Sequence, residues 1–180
     1  MPVRNCLKMK DNRYLYNRQY FKSSKDFQSN KERLEKLVNK IKEYNPRMVL
    51  DVGCGMGYLV TRLNEEGIVA MGSDFSPDLR KNFWGDRECF VEGDARKLPF
   101  ADKEFDLVVS TDFFEHIDEE DIDLVANEMK RVGDTVITFV ADNIGGNLNK
   151  RQLQYHVTYK DMDWWKTKLK GIEGFSSHTL

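Results

Sequence analysis

The segment Met48-Val49-Leu50-Asp51-Val52 runs without interruption into Gly53-Cys54-Gly55-Met56-Gly57. A short apolar run entering a glycine cluster suits a strand buried in a parallel sheet. Tyr58 to Glu66 then reads as a helix with Gly67 as its C-cap. Glycines there let the backbone turn sharply from strand to helix and come close to a ligand. The third glycine follows the second by two positions, one short of the dinucleotide-binding pattern.

The same alternation continues along the chain. Ile68 to Ser73, Cys89 to Glu92, Phe105 to Thr111 and Thr135 to Val140 are expected strands. Ser76 can cap a short helix at Pro77, and Asp118 can cap one that turns Ile122, Val125 and Met129 inward and stops at Gly133. Upstream, Ser29 and Glu32 make a capping box ahead of Leu34, Leu37, Val38 and Ile41, and Asn45-Pro46 ends that helix. Residues 141–158 read as a long loop, Lys160 to Lys170 as a last helix, and Phe175 to Leu180 as a final strand. Trp164 and Trp165 are neighbours on that helix, so one is expected in the core and the other near a surface. Such alternation implies an α/β fold, a mostly parallel sheet with helices on both faces. Its ligands bind beyond the carboxyl ends of the strands.

The 180 residues fit one domain at 29–180, preceded by an aromatic-rich segment, 1–28, with Tyr14, Tyr16, Tyr20, Phe21 and Phe27. That segment is a candidate lid. A formal charge of −2 excludes a globally basic nucleic-acid binder. No apolar run reaches the roughly 20 residues that span a bilayer. Cys6, Cys54 and Cys89 share no close spacing, so no disulfide framework or zinc site is expected, and the cytoplasm is the expected setting.

Acidic residues stand where a nucleoside ligand would need them. Asp51 enters the glycine loop and can hold a cationic group or water. Asp74 ends the second strand and can accept hydrogen bonds from a ribose diol. Asp94, in Glu92-Gly93-Asp94-Ala95, follows the third and can read an adenine edge with a neighbouring N–H. Taken together, Val49 to Gly57, Asp74, Gly93-Asp94-Ala95 with Leu98-Pro99-Phe100, and Phe105-Asp106-Leu107-Val108-Val109 resemble a class I S-adenosylmethionine-dependent methyltransferase over about residues 47–140.

The resemblance implies a Rossmann-like fold, here with its C-terminal strands cut short, since only residues 172–180 follow the last helix. It implies S-adenosylmethionine as cofactor. Asp51, Gly53, Cys54, Gly55 and Gly57 would meet its methionine part, Asp74 and Phe75 its ribose side, and Gly93, Asp94 and Ala95 its adenine. Thr111 and Tyr20 complete the expected cofactor set. After the fourth strand, Glu115-His116 resembles the pair that many small-molecule methyltransferases carry there. His156, in His156-Val157-Thr158-Tyr159, resembles a histidine found over the acceptor site. Glu115, His116 and His156 are therefore the candidate catalytic residues, with His156 the candidate base and His116 expected on the cofactor side.

The expected reaction is methyl transfer to an oxygen or nitrogen of a small-molecule acceptor, with nucleic acid and membrane disfavoured as partners. Three alternatives stand beside it. One is a metal-assisted O-methyltransferase using Asp112, Glu115, His116 and His156. Another is a non-catalytic methyltransferase-like partner protein. The last, a nucleotide-dependent oxidoreductase, is opposed by the short glycine spacing.

Overall fold

Asn30 closes the N-terminus of helix α1 (Lys31–Lys42) by accepting a hydrogen bond from the Arg33 amide. It takes the capping role expected of Ser29, which lies outside the described residues. Leu37, Val38 and Ile41 bury one face of α1. The computed structural model describes residues 19–20, 30–79, 85–142 and 155–180. Of the aromatic-rich N-terminal segment only Gln19 and Tyr20 fall within them; the rest of the candidate lid lies outside.

Six strands follow: β1 (Met48–Val52), β2 (Val69–Asp74), β3 (Phe90–Glu92), β4 (Phe105–Thr111), β5 (Gly133–Val140) and β6 (Glu173–Ser176). They form one sheet in the order β3-β2-β1-β4-β5-β6, and every neighbouring pair is parallel. Helix α2 (Tyr58–Glu65) links β1 to β2, α3 (Ile122–Val132) links β4 to β5, and α4 (Met162–Lys168) lies between β5 and β6.

Side chains alternate between the two faces of a strand, and both faces carry a core. Leu50, Val52, Val108, Val136 and Val140 pack with α3 and Trp165 on one side. Val49, Leu107, Val109, Ile137 and Phe139 pack with α1 and α2 on the other. Trp165 is fully buried, while Trp164 is half-buried with the Lys160 ammonium 4.8 Å from its ring centre. The two indoles divide as their adjacency predicts.

Several boundaries differ from expectation for local reasons. Gly133 ends α3 and is also the first residue of β5, so no loop separates them. A Cβ at Gly133 would sit 2.4 Å from Val108 Cγ2, which explains the glycine. The helix starts after Asp121, whose carboxylate binds Arg96, and not at an Asp118 cap. α4 is shorter than 160–170 because Asp161 caps it, accepting from the Trp164 amide. The last strand lies at Glu173–Ser176, and Ser177–Thr179 is a 3₁₀ turn, so the final strand expected at 175–180 is displaced toward the N-terminus.

Chain direction across the sheet reverses between β1 and β4, since β2 and β3 lie to one side and β5 and β6 to the other. The crevice beyond their carboxyl ends is where such sheets bind ligands. Among the described residues, no helix is long and apolar enough to cross a membrane.

Candidate active site

The glycine loop occupies that crevice. The amides of Gly53 and Cys54 both donate to the Ser73 carbonyl, at 2.8 and 3.2 Å, which ties the loop to the end of β2. Gly53 has φ +75°, and a Cβ there would lie 2.3 Å from the Phe113 ring. Only glycine therefore lets the loop after β4 close over the loop after β1. Cys54 turns its thiol inward, where a Cβ at Gly72 would approach Sγ to 2.6 Å. Burial, with Asp74 and Asp51 adding to it, pushes this thiol well above its ordinary value. Any ligand contact by Cys54 falls to its backbone.

Two buried carboxyls flank the loop. Asp74 accepts from the Ser76 amide at 3.0 Å and the Gly55 amide at 3.2 Å, so its oxygens are held in place. Burial raises it to about 6, against those backbone hydrogen bonds. Asp51 is 2% exposed, and its Oδ1 has no hydrogen-bond partner among the described residues. Burial, and then Asp74, push it up to about 8, while Arg33 pulls the other way. Beside them Phe75, Met56, Tyr20 and Phe90 pack around the buried Leu79 as an apolar wall.

Asp94 stands at the mouth of β3, exposed. Arg96 holds both its oxygens, with Nη2 at 2.6 Å from Oδ2 and Nε at 3.0 Å from Oδ1, and reaches Asp121 at 3.0 Å. Gly93 is tight against Pro99 and Ser73, and its amide donates to the Asp74 carbonyl. Ala95 packs on the core, and Thr111 ends β4 in register with Phe139.

Sequence reasoning missed Arg33. From α1 it forms an ion pair with Asp112, and it is 8% exposed. The signal was present: Arg33, Leu37 and Ile41 share a four-residue spacing, so a cation stands on the helix's buried stripe. Asp112 sits at φ +47°, its amide donating to the Phe139 carbonyl.

Past Asp112, a 3₁₀ turn (Phe114–His116) carries Glu115 and His116. His156 arrives from the segment after β5, and its ring centre lies 4.8 Å from that of His116, edge to face. The ligating atoms of Glu115, His116 and His156 all lie within 4.8 Å of one another. His116 and His156 are therefore in contact. The main chain makes this junction. The amides of Val157 and Thr158 donate to the Glu115 carbonyl at 2.8 and 3.1 Å, and the Thr158 hydroxyl donates to the Ile117 carbonyl at 2.7 Å. Tyr20 packs edge-on against Tyr155 at 4.9 Å and His116 at 6.3 Å. Glu115 is fully buried, and burial, followed by Asp112, raises its carboxyl well above the ordinary range.

Residues 50–134 match the family model described as a methyltransferase domain. The chain is 31% identical over 109 residues to an uncharacterized methyltransferase of Geobacillus sp. strain WCH70, covering 57% of this chain and 51% of that one. It is 33% identical over 96 residues to norajmaline N-methyltransferase of Rauvolfia serpentina, covering 48% of this chain and 32% of that one. The chain thus spans about half of the length of one of these relatives and about a third of the other. Among solved structures, a SAM-dependent methyltransferase from Archaeoglobus fulgidus superposes with TM-score 0.62 at 24% identity, covering 76% of this chain and 67% of that one. With its six-stranded parallel sheet and glycine loop, and with residues 50–134 matching the methyltransferase-domain model, the chain has the class I S-adenosylmethionine-dependent methyltransferase fold.

Proposed function

We propose that this chain transfers a methyl group from S-adenosylmethionine to an oxygen or nitrogen of a small-molecule acceptor. The observation that carries the reading is the junction of two poles in one crevice. The glycine loop with Asp51 and Asp74 forms one pole, and Glu115, His116 and His156 form the other. The family match and the N-methyltransferase relative support it.

The residues fit the cofactor. Asp51 has a buried oxygen with no partner among the described residues, and Gly53 leaves its loop bare where any side chain would strike Phe113. When bound, S-adenosylmethionine supplies an electrophilic methyl on a sulfonium. Asp51 and the Gly53–Gly57 backbone hold the methionine end, and Asp74 accepts from the ribose hydroxyls with lone pairs its two backbone hydrogen bonds leave open. Phe75 and Met56 wall the nucleoside, and Thr111 edges the pocket at the end of β4. Asp94 contacts the adenine by releasing Arg96 to Asp121, which already holds it.

At the other pole the acceptor is oriented against the histidines, and its proton is drawn toward them. Imidazole is the side chain able to take a proton near neutral pH. Positioning provides most of the rate, since good alignment is worth roughly 7–11 kcal/mol. Tyr20 joins the histidine pair to the apolar wall and helps exclude water. A cytoplasmic setting suits Cys54 and Cys89, which are free thiols.

Calorimetry with S-adenosylmethionine and S-adenosylhomocysteine tests the first pole, with saturable one-to-one binding expected. Incubation with labelled cofactor and pooled hydroxyl and amine metabolites tests the second, with label expected on a small product. No binding of either nucleoside overturns the proposal. Binding without label transfer overturns its catalytic half and leaves a ligand-binding partner protein.

A further inference from the structure

We propose that Glu115, His116 and His156 form a divalent-metal site of the two-histidine, one-carboxylate kind, facing the acceptor. The ion-binding claim stands on these residues' own geometry; only its role beside the methyl donor rests on the methyltransferase reading. Four observations converge on it. The three ligating atoms lie within 4.8 Å of one another. Bonds of about 2.0–2.1 Å to a tetrahedral ion would set them roughly 3.4 Å apart, so small side-chain rotations close the shell. Glu115 is 0% exposed; the Glu115 and Ala141 amides lie near its carboxyl, yet neither oxygen completes a well-formed hydrogen bond among the described residues. A buried carboxyl of that sort ionises when a cation or a metal ion pairs with it.

The third observation concerns the tautomer. His116 Nδ1 lies 3.0 Å from the Tyr155 carbonyl, which has no proton to give, so Nδ1–H donates and Nε2 carries the lone pair. A backbone carbonyl on the far nitrogen is the usual device that orients a ligating imidazole. The fourth is the frame. Two amides from residues 157 and 158 converge on the Glu115 carbonyl, so the two contributing segments hold a fixed distance before any ion arrives. Asp112, the further acid the sequence offered, is taken by Arg33 and stands outside the set.

Two imidazoles and one carboxylate favour zinc, iron, cobalt or manganese over magnesium or calcium, which prefer oxygen shells. Three protein ligands leave a position open; with the ion bound both imidazole lone pairs would be engaged, so the ion would acidify the acceptor's hydroxyl and its proton would leave to water in place of a histidine. The open position would take an oxygen donor of the acceptor, which narrows the substrate class to hydroxyl-bearing or similar oxygen-donor molecules.

The test uses the whole chain, stripped with chelator and dialysed. Zn²⁺ and Co²⁺ are titrated separately, with Mg²⁺ as the comparison. One equivalent of Zn²⁺ or Co²⁺ is expected to bind, with visible d–d bands for bound Co²⁺ and much weaker Mg²⁺ uptake. Glu115→Gln, His116→Ala and His156→Ala should each weaken uptake at least tenfold and alter the Co²⁺ bands. A cooperative thermal transition certifies each fold. If Glu115→Gln does not fold, His156→Ala, on a half-exposed position, carries the comparison. No stoichiometric uptake, or equal uptake by the variants, overturns the inference. S-adenosylhomocysteine binding to the wild-type chain is read separately. Nucleoside binding without metal uptake sinks the metal site alone, and metal uptake without nucleoside binding sinks the methyltransferase reading alone.

Discussion

Asp51 and Asp74 are buried carboxyls beside the glycine loop, raised to about 8 and about 6 mainly by burial, with the Asp74 charge adding to the rise at Asp51. Both carboxyls therefore prefer the neutral form in mildly acid solution. A cationic ligand reverses that preference, because an opposite charge nearby favours ionisation. Binding of S-adenosylmethionine should then release protons, and its affinity should climb as pH rises from about 6 to about 8. Calorimetry in buffers of different ionisation enthalpy reads the released protons directly. Affinity that is flat across that range would remove the pair from the ligand's surroundings. Asp51→Asn should abolish most of the slope. Stability runs the other way in the ligand-free chain. A carboxyl raised in the folded state contributes fully below its unfolded value of 3.8 and loses that contribution as pH rises through its folded value. Denaturant midpoints should therefore fall between about pH 5 and about pH 8.5, and fall less in Asp51→Asn.

At the level of elements, the direct passage from α3 into β5 is the tightest constraint. Gly133 has φ −118°, so alanine there meets no backbone penalty. The cost is steric, against Val108 at 2.4 Å. Gly133→Ala should lose about 1–3 kcal/mol by urea unfolding, as overpacked cores do. Val108→Ala in the same chain should recover part of the loss, a coupling that a double-mutant cycle measures. This glycine also shows what the sequence hides. Glycine punctuates, so Gly133 reads as a stop, yet it opens the strand as well. The apolar centres of β1, β2, β4 and β5 were legible because fully buried parallel strands leave unbroken apolar runs. β6 was expected but placed two residues late, since Glu173-Gly174-Phe175-Ser176 is a short edge strand with a glycine and an acid. The same divide runs through the site. Asp51 and Asp74 were readable from their place at strand ends. The meeting of His116 and His156, 40 positions apart, was not, because carbonyls and amides of the main chain make it. Main-chain contacts leave no residue-type signature.

At the scale of the whole molecule, one ring from the N-terminal segment lies beside the crevice. Tyr20 lies against Tyr155 and His116 and also packs on Leu79 beside Phe75 and Met56, so one ring joins the histidine pair to the apolar wall. Aromatic pairs of this geometry contribute about 0.5–1.5 kcal/mol beyond area burial. Tyr20→Ala should speed S-adenosylhomocysteine dissociation about 2- to 10-fold in stopped flow, by that same increment, with little change in thermal midpoint. An unchanged dissociation rate would mean the ring does not cover the bound nucleoside. The Glu115 carbonyl, with its two amides from the far segment, has a longer reach. Those hydrogen bonds use no side-chain atoms, so they do not depend on which residues stand at Tyr155, Val157 and Tyr159. Exchanging these three would recut the lining while the seam beneath it holds. On the proposed reading, small substitutions at these three positions exchange one acceptor for another without touching the glycine loop.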